Sequence, residues 1–320
     1  MEQKKWNCLL VDAGARYGLH PSWRDARDIC EFHLFEPEPI EATRLKVRYE
    51  RSENITVHAL ALADKSSARK LTLRKHLGLS NLDKYDLDPI NGKSVFIDSE
   101  ASIAVGTLNV DAVSIDEFFE KDRVDFLKSD TEGSDFEILK GAINKLNSSI
   151  LGIRVNVDFQ RTSKRGPVFS EIDIWLKKFG FELQNLEFDA RVTKKQGMFP
   201  LTTMSGSLLS GDAIWTRSPG SVYQNSSNEL NVIYALFLYL NSLEDIALDF
   251  LVKASQENNF DLNESVDKPF MNLLETKILT HLTSALSAGW WDSKKITDTY
   301  RNLFNKDFPT KEELYLRLYP

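Results

Sequence analysis

The segment Val124-Asp125-Phe126-Leu127-Lys128-Ser129-Asp130-Thr131-Glu132-Gly133-Ser134-Asp135-Phe136-Glu137-Ile138-Leu139-Lys140-Gly141-Ala142 runs from an apolar strand into a helix through a turn crowded with acids. Val124 to Lys128 has the length and composition of a buried strand, and beyond Asp135 the apolar residues recur at helical spacing. Local chemistry explains part of the turn. Ser134 followed three residues on by Glu137 fits a capping box, and acids early in a helix suit its positive dipole end. Capping does not require Asp130, Glu132 and Gly133. In open α/β sheets ligands bind at the carboxyl ends of the strands, so this turn is a candidate site.

Short apolar runs ending in such turns recur on both sides of it. Strands are predicted at Trp6 to Val11, His33 to Glu36, Ile55 to Leu62, Ser149 to Val157, Phe181 to Phe188 and Ala213 to Thr216. Helices are predicted at Ile40 to Glu50, Phe136 to Leu146 and Phe169 to Phe179, the last stopping before Gly180. The alternation predicts βαβ units and a mostly parallel sheet. Leu77 to Gly106, with Asp88-Pro89 and Asn91-Gly92, carries turn signals and little periodicity, so a loop over the sheet is expected. Past Arg217 the pattern changes. Ser218-Pro219-Gly220-Ser221 reads as a linker, and Leu230, Ile233, Tyr234, Leu236, Phe237 and Leu240 then recur at helix spacing. The expected organisation is an α/β domain over residues 1–219 and a helical domain over 220–320, and 320 residues suffice for both.

Two further motifs follow strands. Asp12-Ala13-Gly14-Ala15-Arg16-Tyr17-Gly18 follows the first, with glycines that let the backbone turn sharply and approach a ligand. Their G-x-x-x-G spacing differs from the G-x-G-x-x-G that seats a pyrophosphate, which favours a ligand without phosphates. A plain strand-to-helix turn explains the same glycines. Phe35-Glu36-Pro37-Glu38-Pro39 ends the second strand, where an acid can accept both ribose hydroxyl protons. The bland alternative for Glu36 is a solvated acid ahead of a helix whose first turn holds Pro39.

Together these residues resemble the FkbM-type methyltransferases. Val124 to Ala142 is similar to that family's K-x-D-x-E-G-x-E…L-x-G-A hallmark, and the Asp12–Gly18 and Phe35-Glu36-Pro37 motifs follow in family order. The resemblance covers about Cys8 to Arg217. It implies a Rossmann-like class I methyltransferase sheet with helices on both faces, and S-adenosylmethionine as methyl donor. The acceptor it implies is a hydroxyl of a sugar, glycan or polyketide-like molecule. Asp12, Gly14, Ala15 and Gly18 would form the donor turn, with Gly14 under the methionine part, and Glu36 would hold the ribose. Ala61, Leu62 and Asp64, in Ala59-Leu60-Ala61-Leu62-Ala63-Asp64, would surround the adenine. Asp130 would take the acceptor proton or hold the donor's amino group, with Glu132 and His76 as alternative bases. Three positions depart from the family pattern: Ser129 replaces an aliphatic residue, Asp135 a glutamate, and Asn156 an acid.

The remaining features mostly exclude. A net charge of -7 argues against broad binding to nucleic acid or anionic membrane. No apolar run has the length of a signal h-region or a membrane span. Cys8 and Cys30 read as separate small hydrophobes, consistent with a reducing cytoplasm. His20, His33, His58, His76 and His281 lack zinc-ligand spacing, so no zinc site is expected; the site is read without a metal, with metal help at Asp130 and a neighbouring acid as the lesser alternative. No G-x-S-x-G elbow supports a hydrolase. The basic run Arg161 to Arg165 reads as a solvated loop and Trp290-Trp291 as packing for the helical region. The expected partners are a small-molecule or glycan acceptor and, through the helical region, a second copy of the chain. Two other functions compete: a nucleotide-dependent oxidoreductase or epimerase on a similar sheet, and a binding protein whose methyltransferase domain has lost activity.

Overall fold

The computed structural model describes residues 8–82, 103–160, 167–192, 207–225, 227–257, 268–289, 292–310 and 312–314. Asp88-Pro89, Asn91-Gly92, the basic run Arg161 to Arg165 and Trp290-Trp291 lie outside these residues. The described chain forms two compact units. One comprises residues 9–20 and 32–217, the other residues 1–8, 21–31 and 218–320.

The first unit is built on a sheet of β1 (Cys8–Ala13), β2 (Cys30–Phe35), β3 (Ile55–His58), β8 (Phe126–Ser129), β9 (Gly152–Asp158), β10 (Phe181–Val192) and β11 (Ser207–Arg217). Their order is β10-β11-β9-β8-β1-β2-β3. β1 pairs with β8, β8 with β9 and β2 with β3 in parallel, whereas β11 runs antiparallel to both β9 and β10. Alternation of side chains across each strand decides what each face holds. Leu9, Val11 and Ala13, Leu127, Ile153, Val155 and Val157, and Ala213 and Trp215 point into one core with Ile138, Leu139, Leu146, Ile172 and Leu176. Those last residues come from α3 (Asp135–Lys140), α4 (Ile143–Ser148) and α5 (Phe169–Lys177). Toward the carboxyl ends of the central strands the alternate positions carry charge, although Leu10, Phe126 and Ile214 are buried and apolar. Asp12 pairs in register with Lys128, and Lys128 with Arg154.

α1 (Pro39–Arg48) starts as its sequence requires: Pro39 occupies the first turn, and the Glu38 carboxylate caps the amides of Ile40 at 3.1 Å and Glu41 at 2.9 Å. Elsewhere the structure corrects the sequence reading. The run Ile55 to Leu62 splits, because only β3 joins the large sheet. Ala61–Leu62 forms β4 of a second sheet, ordered β4-β7-β5-β6, with β5 (Ser67–Arg74), β6 (Asn81–Leu82) and β7 (Ala104–Val113). β6, a 3-10 turn at Leu77–Leu79 and the start of β7 therefore replace part of the loop expected at Leu77 to Gly106. The sheet was hidden because β5 is half polar, SARKLTLR, and buries few of its side chains. A short helix, α2 (Ile115–Phe118), follows β7 behind a Ser114–Glu117 capping box. The helix expected over Phe136 to Leu146 breaks between α3 and α4. There a Cβ on Gly141 would lie 2.1 Å from the Ala63 carbonyl oxygen.

The second unit holds α6 (Pro219–Asn225), α7 (Asn228–Leu240), α8 (Glu244–Glu257), α9 (Lys268–Ser287) and α10 (Ser293–Phe304). The expected linker at Ser218 to Ser221 is thus mostly helix, since Pro suits a first helical turn. α7 is buried from Asn231 to Leu240, as an apolar helix without a polar face must be. A 3-10 helix at Pro21–Ala26 belongs to this unit and packs Trp23 on Phe237, with ring centroids 5.8 Å apart. Asp25 pairs with Lys277. Among the described residues no helix is long and apolar enough to cross a membrane.

Cys8 and Cys30 are joined as a disulfide. This overturns their reading as separate thiols and removes the support they lent to a reducing compartment. Sequence spacing could not have paired them, because the bridge depends on the starts of β1 and β2 lying side by side.

Candidate active site

Three strand ends are brought together by backbone bonds. The amides of Gly14 and Ala15 both donate to the Phe35 carbonyl at 3.1 Å, and the Asp130 amide donates to the Ala13 carbonyl at 3.1 Å. Gly14 is required at this junction. Its φ is +79°, and a Cβ would come within 1.9 Å of the Asp130 carbonyl oxygen. Gly18, with φ +87°, completes the turn by donating to the Ala15 carbonyl at 2.7 Å.

Glu36 follows β2 directly. It is 4% exposed, and its Oε1 accepts the Glu38 amide at 2.8 Å. Burial pushes its pKa up to about 7, against the pull of the Glu38 amide and of Arg16.

The turn after β8 is organised by Asp135. Its carboxylate accepts the Ser129 hydroxyl at 2.6 Å, the Thr131 amide and hydroxyl at 3.1 Å each, and the Gly133 amide at 3.3 Å. Burial nevertheless raises its pKa. Two left-handed residues, Glu132 with φ 55° and Gly133 with φ 118°, reverse the chain. A left-handed Glu is uncommon, and such residues gather at functional sites.

The capping box expected for Ser134 and Glu137 does not form. Ser134 has helical rather than extended geometry and makes no side-chain cap bond, while Glu137 pairs with Arg69 on β5 at 3.1 Å. Asp135, one residue later, takes the donors of the turn. The Ser134 hydroxyl is left buried without a hydrogen-bond partner.

Two cations, Lys128 and Arg154, sit among the acids beneath the turn. Lys128 Nζ lies 3.0 Å from Asp12 and 3.9 Å from Asp130. Although burial opposes it, these two carboxylates hold Lys128 above the usual lysine range. Desolvation at the cleft wall is the main cause that raises the Asp130 pKa to about 6, Lys128 pulling it down while Asp135, Asp212 and Asp12 push it further up. Its side chain is 45% exposed, so solvent screens part of that push. Arg154 donates to Asp212 at 2.7 Å and Glu187 at 2.5 Å, and Asn156 donates to Asp212 at 3.2 Å. Asn156 is therefore a partner of an acid on the neighbouring strand.

One cleft is lined by Gly14, Glu36, Ala61, Leu62, Asp130 and Glu132. The other expected residues lie outside its lining. Asp12 and Ala15 are buried, Gly18 lies in its own turn, Asp64 is exposed, and His76 is exposed beside Gly78, which does line the cleft. The sequence reading missed Tyr17, Ser134 and the contribution of the small sheet, Leu71, Asn81 and Leu82, and of the turn between β5 and β6, Leu77 and Ser80. Asn81 is fixed by buried Arg74, whose Nε and Nη2 donate to its Oδ1 at 3.1 and 3.0 Å. Only Asn81 beside a polar-alternating run could have signalled this. Among the described residues no group of His, Cys, Asp and Glu could hold a metal ion.

The strand order, its antiparallel β11 and a cleft at the strand ends define the class I methyltransferase fold. The family model for the methyltransferase FkbM domain matches residues 12–183, more than half of the chain, and the protein belongs to that family. Among solved structures it is similar to methyltransferase FkbM from Methylobacillus flagellatus KT, with 15% identity and a TM-score of 0.40, covering 67% of this chain and 45% of that one. It therefore spans less than half the length of that relative. An rRNA methylase from Streptococcus thermophilus gives 8% identity and a TM-score of 0.33, covering 66% of this chain and 86% of the other. Precorrin-6y C5,15-methyltransferase from Geobacter metallireducens GS-15 gives 11% and 0.31, covering 68% and 82%. No curated protein matches the chain.

Proposed function

We propose that this protein transfers a methyl group from S-adenosylmethionine to a hydroxyl of a sugar, glycan or related metabolite. The observation that carries the proposal is the meeting of Gly14, Glu36 and Asp130, from three strand ends, in one cleft. The cleft's chemistry fits the donor. Glu36 is a buried acid suited to paired ribose hydroxyls, Leu60, Ala61 and Leu62 suit a flat apolar base, and the orphaned Ser134 hydroxyl awaits a partner.

S-adenosylmethionine, when bound, supplies a methyl group open to displacement by a nucleophile. The protein's part is to hold the acceptor oxygen in line and take its proton, positioning providing much of the acceleration. Asp130 is the candidate base: a carboxylate with pKa about 6 is closer to that task than an ordinary one near 3.9. Lys128 limits the rise and keeps Asp130 ionised at neutral pH. Glu132 lines the same cleft and is the alternative base, and His76 stands one residue outside it.

Labelled methyl transfer tests the proposal, with mono- and oligosaccharides, a polyketide alcohol and RNA as acceptors. Label entering a hydroxyl compound supports it. Label entering RNA alone refutes the acceptor class, and no turnover with intact donor binding favours a binding protein. Stabilisation by NAD but not by S-adenosylhomocysteine would instead favour the oxidoreductase alternative.

A further inference from the structure

We propose that Ser134 contacts the donor's adenine directly, its hydroxyl donating to a ring nitrogen of the base; this rests on the S-adenosylmethionine reading above. Ser134 is 1% exposed, lines the cleft, and its Oγ has no hydrogen-bond partner. A buried hydroxyl without a partner is unfavourable, and its persistence calls for a reason.

Capping is not that reason. Ser134 stands where an N-cap would, yet its backbone is helical and the Glu137 amide bonds to its carbonyl rather than its side chain. Asp135 takes the amides of Thr131 and Gly133 and the hydroxyls of Ser129 and Thr131, so the turn is complete without Ser134. The Ser134 hydroxyl is thus left buried at the cleft lining without a hydrogen-bond partner.

Its place indicates which part of the donor it meets. α3 follows Ser134 directly and runs against the segment that holds Ala61, Leu62 and Ala63. Gly141 at its end closely approaches the Ala63 carbonyl, and Glu137 reaches Arg69. Gly14 and Asp130 are in close backbone contact, and the charged part of the cleft is formed by Arg16, Glu36, Asp130 and Glu132. The apolar part, with Leu60, Ala61, Leu62 and one hydroxyl donor, matches a flat heteroaromatic ring with unprotonated nitrogens.

The test is calorimetric titration of S-adenosylhomocysteine and of 5′-methylthioadenosine, which keeps the nucleoside and lacks the amino-acid half. Ser134→Ala, Ser134→Thr and Glu36→Ala are compared with the wild type. Ser134→Ala should weaken both ligands by the same factor, about 3- to 10-fold for one hydrogen bond, and Ser134→Thr, which keeps the hydroxyl, should recover most of it. Without ligand, Ser134→Ala should melt no lower than the wild type, because no bond is lost. The proposal is overturned by unchanged affinity in Ser134→Ala where Glu36→Ala loses affinity, or by a loss confined to S-adenosylhomocysteine. A lower ligand-free melting temperature with unaltered affinity overturns it too. Wild-type protein binding neither ligand overturns the donor reading itself.

Discussion

The cleft draws its lining from two sources that differ in kind. From the ends of β1, β2 and β8 come turns whose residues are fixed by backbone geometry: a glycine with no room for Cβ, an acid on the first residue past a strand, and an aspartate after a strand. From the small sheet come Leu71, Asn81 and Leu82, whose places depend on an antiparallel register. A turn of the first kind fails when one residue changes, whereas a ladder of the second kind absorbs substitutions. We expect donor chemistry to lie in the first source and fine selectivity in the second.

Substitutions can break or sharpen that contrast. The largest effect should come from Asp130→Asn, which keeps shape and removes the base: turnover at saturating donor should fall about 10²- to 10⁴-fold, with little change in melting temperature. Wild-type turnover in single-turnover assays would remove Asp130 from the chemistry. Lost donor binding with normal turnover at saturation would make it a donor contact.

Gly14→Ala comes next. A Cβ 1.9 Å from a backbone oxygen cannot be relieved by side-chain motion, and φ +79° adds strain. A loss of roughly 3 kcal/mol or more is expected, seen as a drop in denaturation midpoint. A midpoint near that of the wild type would show that the turns after β1 and β8 are not rigidly tied.

The disulfide joining the starts of β1 and β2 closes a separation of 22 residues, worth about 3 kcal/mol by loop entropy. Cys30→Ser should lower the melting temperature under oxidising conditions and make it insensitive to dithiothreitol. Two reactive thiols in the native protein, counted by labelling, would contradict the bridge.

The small sheet should respond least. Asn81→Leu removes a hydrogen-bond partner of Arg74 and should cost about 1–3 kcal/mol of stability, while S-adenosylhomocysteine affinity changes less than in Glu36→Ala. A larger loss of affinity than in Glu36→Ala would reverse the proposed division between the two sources.

The same contrast explains what could be read in advance. Gly14, Glu36 and Asp130 were legible because a turn after a strand leaves a local signature: glycine where the chain must reverse, acid where a strand ends. The large sheet was legible because β1, β8 and β9 are buried and apolar. The small sheet was not, because β5 alternates toward polar residues and pairs with β7 across the intervening chain, so no local rule marks it. Ser134 was misread for a related reason. Its capping motif is genuine in sequence, but the Glu137 amide bonds to the Ser134 carbonyl and the Glu137 carboxylate pairs with Arg69, and only positions in space decide that outcome.

The central claim is that Glu36 holds the donor's ribose, and titration of S-adenosylhomocysteine from about pH 5 to about pH 9 tests it most directly. Burial lifts the Glu36 pKa from 4.5 to about 7, so the free protein retains its proton in the acid range, and the ionised form is the better acceptor for two hydroxyls. Wild-type affinity should therefore rise with pH through about 7 and then level. Glu36→Gln should bind more weakly above that point, by about 1–3 kcal/mol, with no such rise. A raised carboxyl pKa favours the folded state at low pH and withdraws that stability as pH climbs from 4.5 to about 7. Ligand-free Glu36→Gln should accordingly melt higher than the wild type above neutral pH while binding less. Equal affinities for the two proteins across the range, with no pH dependence in either, would contradict the account.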